Sequence, residues 1–151
     1  MPETGNLIKF VEKEQYIEVY DIPQLTRKKI PTNLKFHDCS AIFQVGDSIY
    51  VAGGEDANTQ ELQDDLFQVY IHGECITHNK MSYKRGMLSL AGCINFLVAT
   101  GGCDYDDNPF NYVEKFRFVT LEWSELPPLI HSRFGHASCI AFNVSPEEDE
   151  K

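Results

Sequence analysis

Two glycine pairs 48 residues apart constrain this chain more than any other feature. "SIYVAGGEDANTQ" (48–60) ends a short apolar run at Gly53 and Gly54, and "FLVATGGCDYDDN" (96–108) ends another at Gly101 and Gly102. Sixteen residues before the first glycine of each pair stand His37 and Arg85, and 48 residues after Arg85 comes Arg133, in "SRFGHASCIAF". Three unit starts share one period. Within the units a second stretch also repeats: "LFQVYIH" (66–72) matches "VEKFRFV" (113–119), and "IEVYDI" (17–22) has the same character. A repeat of this kind gives its glycines a structural reading before any catalytic one.

The apolar residues come in short runs rich in Val, Ile, Phe and Tyr, separated by Gly, Asp, Asn or Pro, which predicts strands and not helices. The unit from His37 predicts strands at 38–45, 48–52, 65–71 and 74–79, and the unit from Arg85 at 87–92, 95–100, 112–119 and 121–125. Four antiparallel strands in a repeat of roughly 50 residues is the signature of a β-propeller blade. Phosphate cradling needs a glycine loop that opens a helix, and nothing helical follows either pair.

The unit from Arg85 resembles the kelch repeat, with an arginine opening the first strand, a diglycine closing the second, an aromatic in the third and a tryptophan opening the fourth. Those places hold Arg85, Gly101 and Gly102, Phe116 and Trp123, with "ELPPL" (125–129) leading to Arg133. The unit from His37 keeps Gly53, Gly54 and Tyr70, but has a histidine for the arginine and no tryptophan. The resemblance covers about residues 16–143 and implies an all-β, incomplete kelch-type propeller of two full blades and two part-blades. Its divisions are an N-terminal extension (1–15), a part-blade (16–36), two blades (37–84 and 85–132), the first strand of a further blade (133–143) and an acidic tail (144–151). In that frame the glycines give left-handed backbone and close approach, Phe116 and Trp123 fill the space between blades, and Arg133 is buried beside carbonyls or a carboxylate.

Composition narrows the partners. The formal charge of −10, from 23 acidic and 13 basic side chains, repels phosphate backbones and anionic membranes, so neither nucleic acid nor a membrane surface is expected. No apolar run approaches the roughly 18 residues that span a bilayer, and "MPETGNLIKF" lacks a secretory signal's pattern, so a cytoplasmic location is expected. "MPETG" looks like a sortase signal but stands at residue one instead of before a C-terminal apolar tail. Five cysteines, Cys39, Cys75, Cys93, Cys103 and Cys139, lack the two-residue spacing of zinc or redox motifs, and are expected reduced and mostly buried.

Each diglycine is followed by an acidic loop. One carries Glu55, Asp56, Glu61, Asp64 and Asp65, the other Asp104, Asp106 and Asp107. In adjacent blades both lie on one face, giving a negative patch suited to a basic protein partner, or the loops simply share the acidity of the whole chain. A calcium loop is not matched: counting from Asp104, the sixth residue is Pro109 and the twelfth Lys115, where glycine and glutamate are required. His131 and His136 flank a turn, so they form no helical ligand pair, and His136 with Ser138 is expected to serve hydrogen bonding in the core. No Ser or Cys sits in a nucleophile elbow. The chain is therefore expected to be a non-enzymatic protein interaction module without cofactor. A substrate-receptor segment of a ubiquitin ligase is the narrower alternative, and a propeller enzyme with a carboxylate pair the other.

A ring of about six such blades needs around 300 residues, twice this length. A truncated product, a fragment of a larger kelch protein, or a half-ring that pairs head to tail as a homodimer each account for the difference. In the last case "LIKFV" (7–11) supplies the strand missing at the junction.

Overall fold

The structure is a computed structural model that describes residues 5–11 and 15–141. Its described residues form eleven strands in three antiparallel sheets and no helix. The first sheet has β1 (Asn6–Val11), β2 (Tyr16–Asp21) and β3 (Thr26–Pro31), paired in that order. The second has β4 (Ala41–Val45), β5 (Ser48–Ala52), β6 (Leu66–Tyr70) and β7 (Cys75–Thr77), and the third β8 (Ser89–Gly92), β9 (Phe96–Thr100), β10 (Val113–Arg117) and β11 (Glu122–Leu126). Each is a meander, so neighbours in sequence are neighbours in the sheet. Among the described residues no helix is long and apolar enough to cross a membrane.

The 48-residue period is written into the backbone. Leu25, Gly73 and Leu121 all take positive φ (53°, 92° and 56°) in the turn before the last strand of each sheet. Cys39, Met87 and Gly135 do the same (55°, 51° and 61°) at the start of each unit. The amide of Met87 donates to the Cys39 carbonyl at 3.0 Å and that of Gly135 to the Met87 carbonyl at 2.8 Å, so the unit starts are tied to one another in series. Only Gly135 of the second trio lacks a side chain. The other two tolerate a conformation costing about 1–2 kcal/mol because the same hydrogen-bond frame holds them.

The sheets stack face to face. Between the first and second lie Ile17, Val19, Phe36, Ile49, Val51, Phe67, Val69 and Cys75, all buried. Between the second and third lie Ala41, Tyr50, Ala52, Leu66, Met81, Leu88, Leu90, Leu97, Ala99 and Phe116, with Trp123 packed at the margin. Alternation along each strand sends one set of side chains to each neighbour. Each fully buried Leu, Val or Phe contributes about 1.5–3 kcal/mol, so these two layers dominate cohesion over any surface ion pair.

Several expectations are corrected. Residues 1–15 are not simply an extension, because Asn6–Val11 pairs with β2 and completes a three-stranded first sheet within the same chain. Residues 133–141 form no strand of a sheet, while 142 and 143 and the acidic tail lie outside the described residues. Tyr70 is not the counterpart of Phe116: that place is held by Val69, paired with Ile49 as Phe116 is with Leu97, and Tyr70 is half-buried on the other face. Arg133 is exposed, its Nε donating at 3.4 Å to the His131 carbonyl two residues back, so it is not buried beside a carboxylate. Only Cys75 and Cys103 of the five cysteines are buried, and Cys39 and Cys139 are exposed.

Candidate functional site

The end of the sheets that carries the glycine pairs also carries the unit starts and the acidic loops. The glycine amides are fully used there. Gly53 donates to the Asp65 carbonyl (2.9 Å) and Gly54 to that of Arg85 (3.0 Å), as Gly101 donates to Tyr112 (2.9 Å) and Gly102 to Arg133 (2.9 Å). With every amide satisfied by backbone oxygen, neither pair is an anion nest. Gly53 has φ 62°, and a Cβ there would sit 2.6 Å from the Arg85 carbonyl, while at Gly101 (φ 61°) it would strike the carbonyl of Arg133. The first glycine of each pair thus allows one unit to close against the start of the next.

Arg85 is fully buried beneath its diglycine. Its Nη1 donates to the carbonyls of Gly101 (2.8 Å) and Tyr112 (3.1 Å), and its Nη2 to Glu114 Oε2 (2.9 Å). The other Glu114 oxygen accepts from the Ser82 amide at 2.8 Å, so the carboxylate is used on both sides. Burial pulls the guanidinium pKa down, and the facing Glu114 opposes that. This pair is architectural, being wholly removed from solvent.

The loops after the glycines fold alike. Asp56 Oδ1 accepts from the amides of Asn58 (2.8 Å) and Thr59 (3.0 Å), and Asp104 Oδ1, 48 residues on, from those of Asp106 and Asn108 (both 2.9 Å). These contacts hold both carboxyls below the ordinary aspartate range, with the Thr59 amide the main cause at Asp56 and the Asn108 side chain at Asp104. Asp64 and Asp65 are both paired to Lys80 (2.8 and 3.0 Å), and Asp65 also faces His37 at 3.4 Å. Half of the eight acidic residues singled out from sequence are therefore occupied by the fold. Glu61, Asp106 and Asp107 are exposed, and Glu55 is half-buried.

The two loops meet. The Leu62 amide donates to the hydroxyl of Tyr105 at 2.7 Å, clasping one loop to the other. Between them opens a cleft of about 260 Å³ lined by Glu55, Gln60, Asp104, Tyr105 and Asp107, with Cys39, Met87 and Cys103 also in its wall. Tyr105 remains 61% exposed. Burial, then the charges of Asp107 and Asp104, push the Cys103 thiol pKa up, so it stays protonated and is a poor nucleophile. Among the described residues no three His, Cys, Asp or Glu side chains converge as metal ligands would. The cleft is rich in acceptors and fits a cationic or donor-rich group beside an aromatic wall.

Sequence reasoning brought out Glu55, Asp104 and Asp107 but missed Tyr105 and Gln60. An aromatic residue set among three aspartates in "CDYDDN" was the available signal, since a solvated loop has no need of one. No protein-family model matches the sequence, and no curated protein matches it significantly.

Proposed function

We propose that the chain is a segment of a kelch-type β-propeller that acts as a protein interaction module, taking a basic side chain or segment of its partner into the cleft between the two acidic loops. The observation that carries this reading is the clasp of Tyr105 on Leu62, which turns two separate acidic loops into one concave, aromatic-walled surface. The propeller part of the reading rests on the kelch-like marks in sequence and on the shared 48-residue backbone period, which sets four-stranded meanders face to face. Service as the substrate-receptor part of a ubiquitin ligase is a narrower form of the same proposal and rests on the resemblance alone.

The test is fluorescence anisotropy with labelled peptides of equal length, one set rich in Arg and Lys and one in Asp and Glu. The basic peptides should bind about tenfold or more tightly, weaken as salt rises, and lose that advantage in Tyr105→Ala and in the Glu55→Gln/Asp107→Asn double variant. Equal affinity for both sets, or binding untouched by these changes, excludes the cleft as the docking site.

A further inference from the structure

The packing of the second sheet on the third is a template for a contact that the chain leaves open at both ends. In that template Leu90 of β8 is buried in the layer that holds Ala41, with Phe43 packed against it. The counterpart of Leu90, 48 residues earlier, is Ile42, which is 50% exposed. Ile42 is uncovered because the first sheet starts with β1, which corresponds to the second strands β5 and β9. Among the described residues nothing pairs with the outer edge of β1.

The missing piece stands at the other end of the chain. Residues 136–141 lie where the next unit's first strand belongs: the Gly135 amide reaches the Met87 carbonyl, His136 Nε2 lies 2.9 Å from Thr100 Oγ1, and Ser138 Oγ 2.6 Å from Ser89 Oγ. Positions 136, 138 and 140 are half-buried on the third sheet, while Ala137, Cys139 and Ala141 alternate outward, exposed. In the repeat these three occupy the places of Ala41, Phe43 and Val45, the residues that in the second sheet pack toward the third.

Charge fits as well. Counting back from equivalent four-residue turns (22–25 and 118–121), Glu18 of the first sheet matches Glu114, and Arg133 matches Arg85. Glu18 is 7% exposed, its carboxylate accepting from the Tyr20 hydroxyl at 2.9 Å and facing Arg27 Nη1 at 3.8 Å, and Arg133 is exposed. By the same register Leu7, 57% exposed, matches fully buried Leu97. The chain thus holds an arginine and a carboxylate at the places of Arg85 and Glu114, on surfaces facing opposite ways, with Arg133 joining Tyr20 and Arg27 at Glu18 when the two surfaces meet.

We propose that two copies of this chain join head to tail in a closed pair: residues 136–141 of one add antiparallel to the free edge of β1 in the other, Ala137 and Cys139 cover Ile42, and Arg133 pairs with Glu18. Three strands plus one complete a four-stranded sheet at each of the two junctions, so the pair contains six such sheets, within the range of closed propellers. The contact removes both open ends, including an unpaired edge that otherwise invites uncontrolled association. This inference stands on the repeat geometry and does not require the cleft to bind a partner.

The experiment is light scattering coupled to size exclusion over a hundredfold range of concentration, on the whole chain and two charge variants. The unmodified chain should hold twice its chain mass of 17.2 kDa. Arg133→Glu and Glu18→Arg, each alone, should weaken association about thirtyfold or more and run as folded monomers by circular dichroism. Mixed in equal amounts they should regain the double mass, because one junction then pairs the exchanged charges and the other is native. If Glu18→Arg does not fold, Ile42→Asp, at an exposed position, replaces it as the second disruptor, and its monomeric state is the expected result. A monomer at every concentration, a mass that climbs without plateau, or an Arg133→Glu chain that still pairs overturns the proposal.

Discussion

The second and third sheets have nearly the same backbone and quite different chemistry beneath their glycine pairs. In the third sheet Arg85 and Glu114 form a desolvated ion pair with hydrogen bonds to two carbonyls and one amide. In the second the same two places hold His37 and Phe67, whose rings lie 5.7 Å apart, with Asp65 beside the histidine. The backbone marks are common to both: left-handed residues 48 apart, glycine amides on the same carbonyl positions, and matching Asx turns at Asp56 and Asp104. The repeat is therefore specified by conformation and hydrogen bonding of the main chain, and the side chains beneath can be either ionic or aromatic, even though Arg85 Nε and His37 Nε2 are buried without a hydrogen-bond partner.

The largest effect should come from breaking the ionic version by half. Glu114→Ala leaves the Arg85 guanidinium buried without its carboxylate and is expected to destabilise by about 3–5 kcal/mol in urea unfolding. Arg85→His combined with Glu114→Phe installs the second sheet's pair in the third. It should recover most of that loss, since a buried ion pair is often replaced by packed apolar groups at little cost, leaving the carbonyls of Gly101 and Tyr112 to find new donors and the Ser82 amide a new acceptor. A double variant as unstable as Glu114→Ala shows that the two units are not interchangeable.

Next in size is the backbone itself. Gly53→Ala should cost about 3 kcal/mol or more, combining a left-handed alanine with a Cβ 2.6 Å from the Arg85 carbonyl. Gly135→Ala has nearly the same φ, 61° against 62°, but nothing within 4 Å of the added carbon, and should cost only about 1–2 kcal/mol. Unfolding midpoints for the two variants side by side separate close approach from conformation. Equal losses would remove the close approach from the account.

Much of this was legible from the glycine spacing. The eight strands expected in the two full units all form, shortened mainly at their starts, where Asp38 and Gly86 make isolated bridges and Cys39 and Met87 turn left-handed. The misplaced Tyr70 has a physical cause: the turn after the third strand has three residues (71–73) in the second sheet and four (118–121) in the third, so the 48-residue period lands on Gln68 while the true counterpart is the aliphatic Val69, and taking the adjacent aromatic, Tyr70, slips by one. That slip moves a side chain to the other face of the sheet. Glu114 was invisible because an acidic residue in an alternating strand reads as solvent-facing, and its counterpart is a phenylalanine. Cys75 pairs with Val69 as Trp123 does with Phe116, so a thiol fills the tryptophan's place and no sequence signature marks it. In the candidate site the carboxylates were readable but their employment was not, because Lys80 is brought to Asp64 and Asp65 only by the fold, and the local turns at Asp56 and Asp104 depend on the backbone conformation of the loops.

The smallest effect distinguishes the sheets by pH. His78 of the second unit donates from Nε2 to Gln68 Oε1 at 2.9 Å and lies against Tyr50 and Phe116 in the layer between the sheets. Its orientation is fixed by Gln68, whose Nε2 donates to Ser48 Oγ and the Tyr70 hydroxyl, leaving only the oxygen for the histidine. Burial lowers the His78 pKa below its usual 6.5, so the folded chain prefers the neutral ring. Below the usual value the unfolded chain binds the proton first, so stability is intact above about pH 6.5 and falls as pH drops toward the folded pKa, by at most about 1.4 kcal/mol per pH unit. His136, lowered by burial and by Arg133, adds a loss of the same sign on the far side of the third sheet. Urea unfolding at pH 7.5 and pH 5.5 should therefore show a drop in the unmodified chain and a smaller drop in His78→Gln, which keeps a hydrogen-bonding group but cannot titrate. Identical drops would assign the whole pH dependence to His136 and to the terminal segment, leaving the layer between the second and third sheets indifferent to protons.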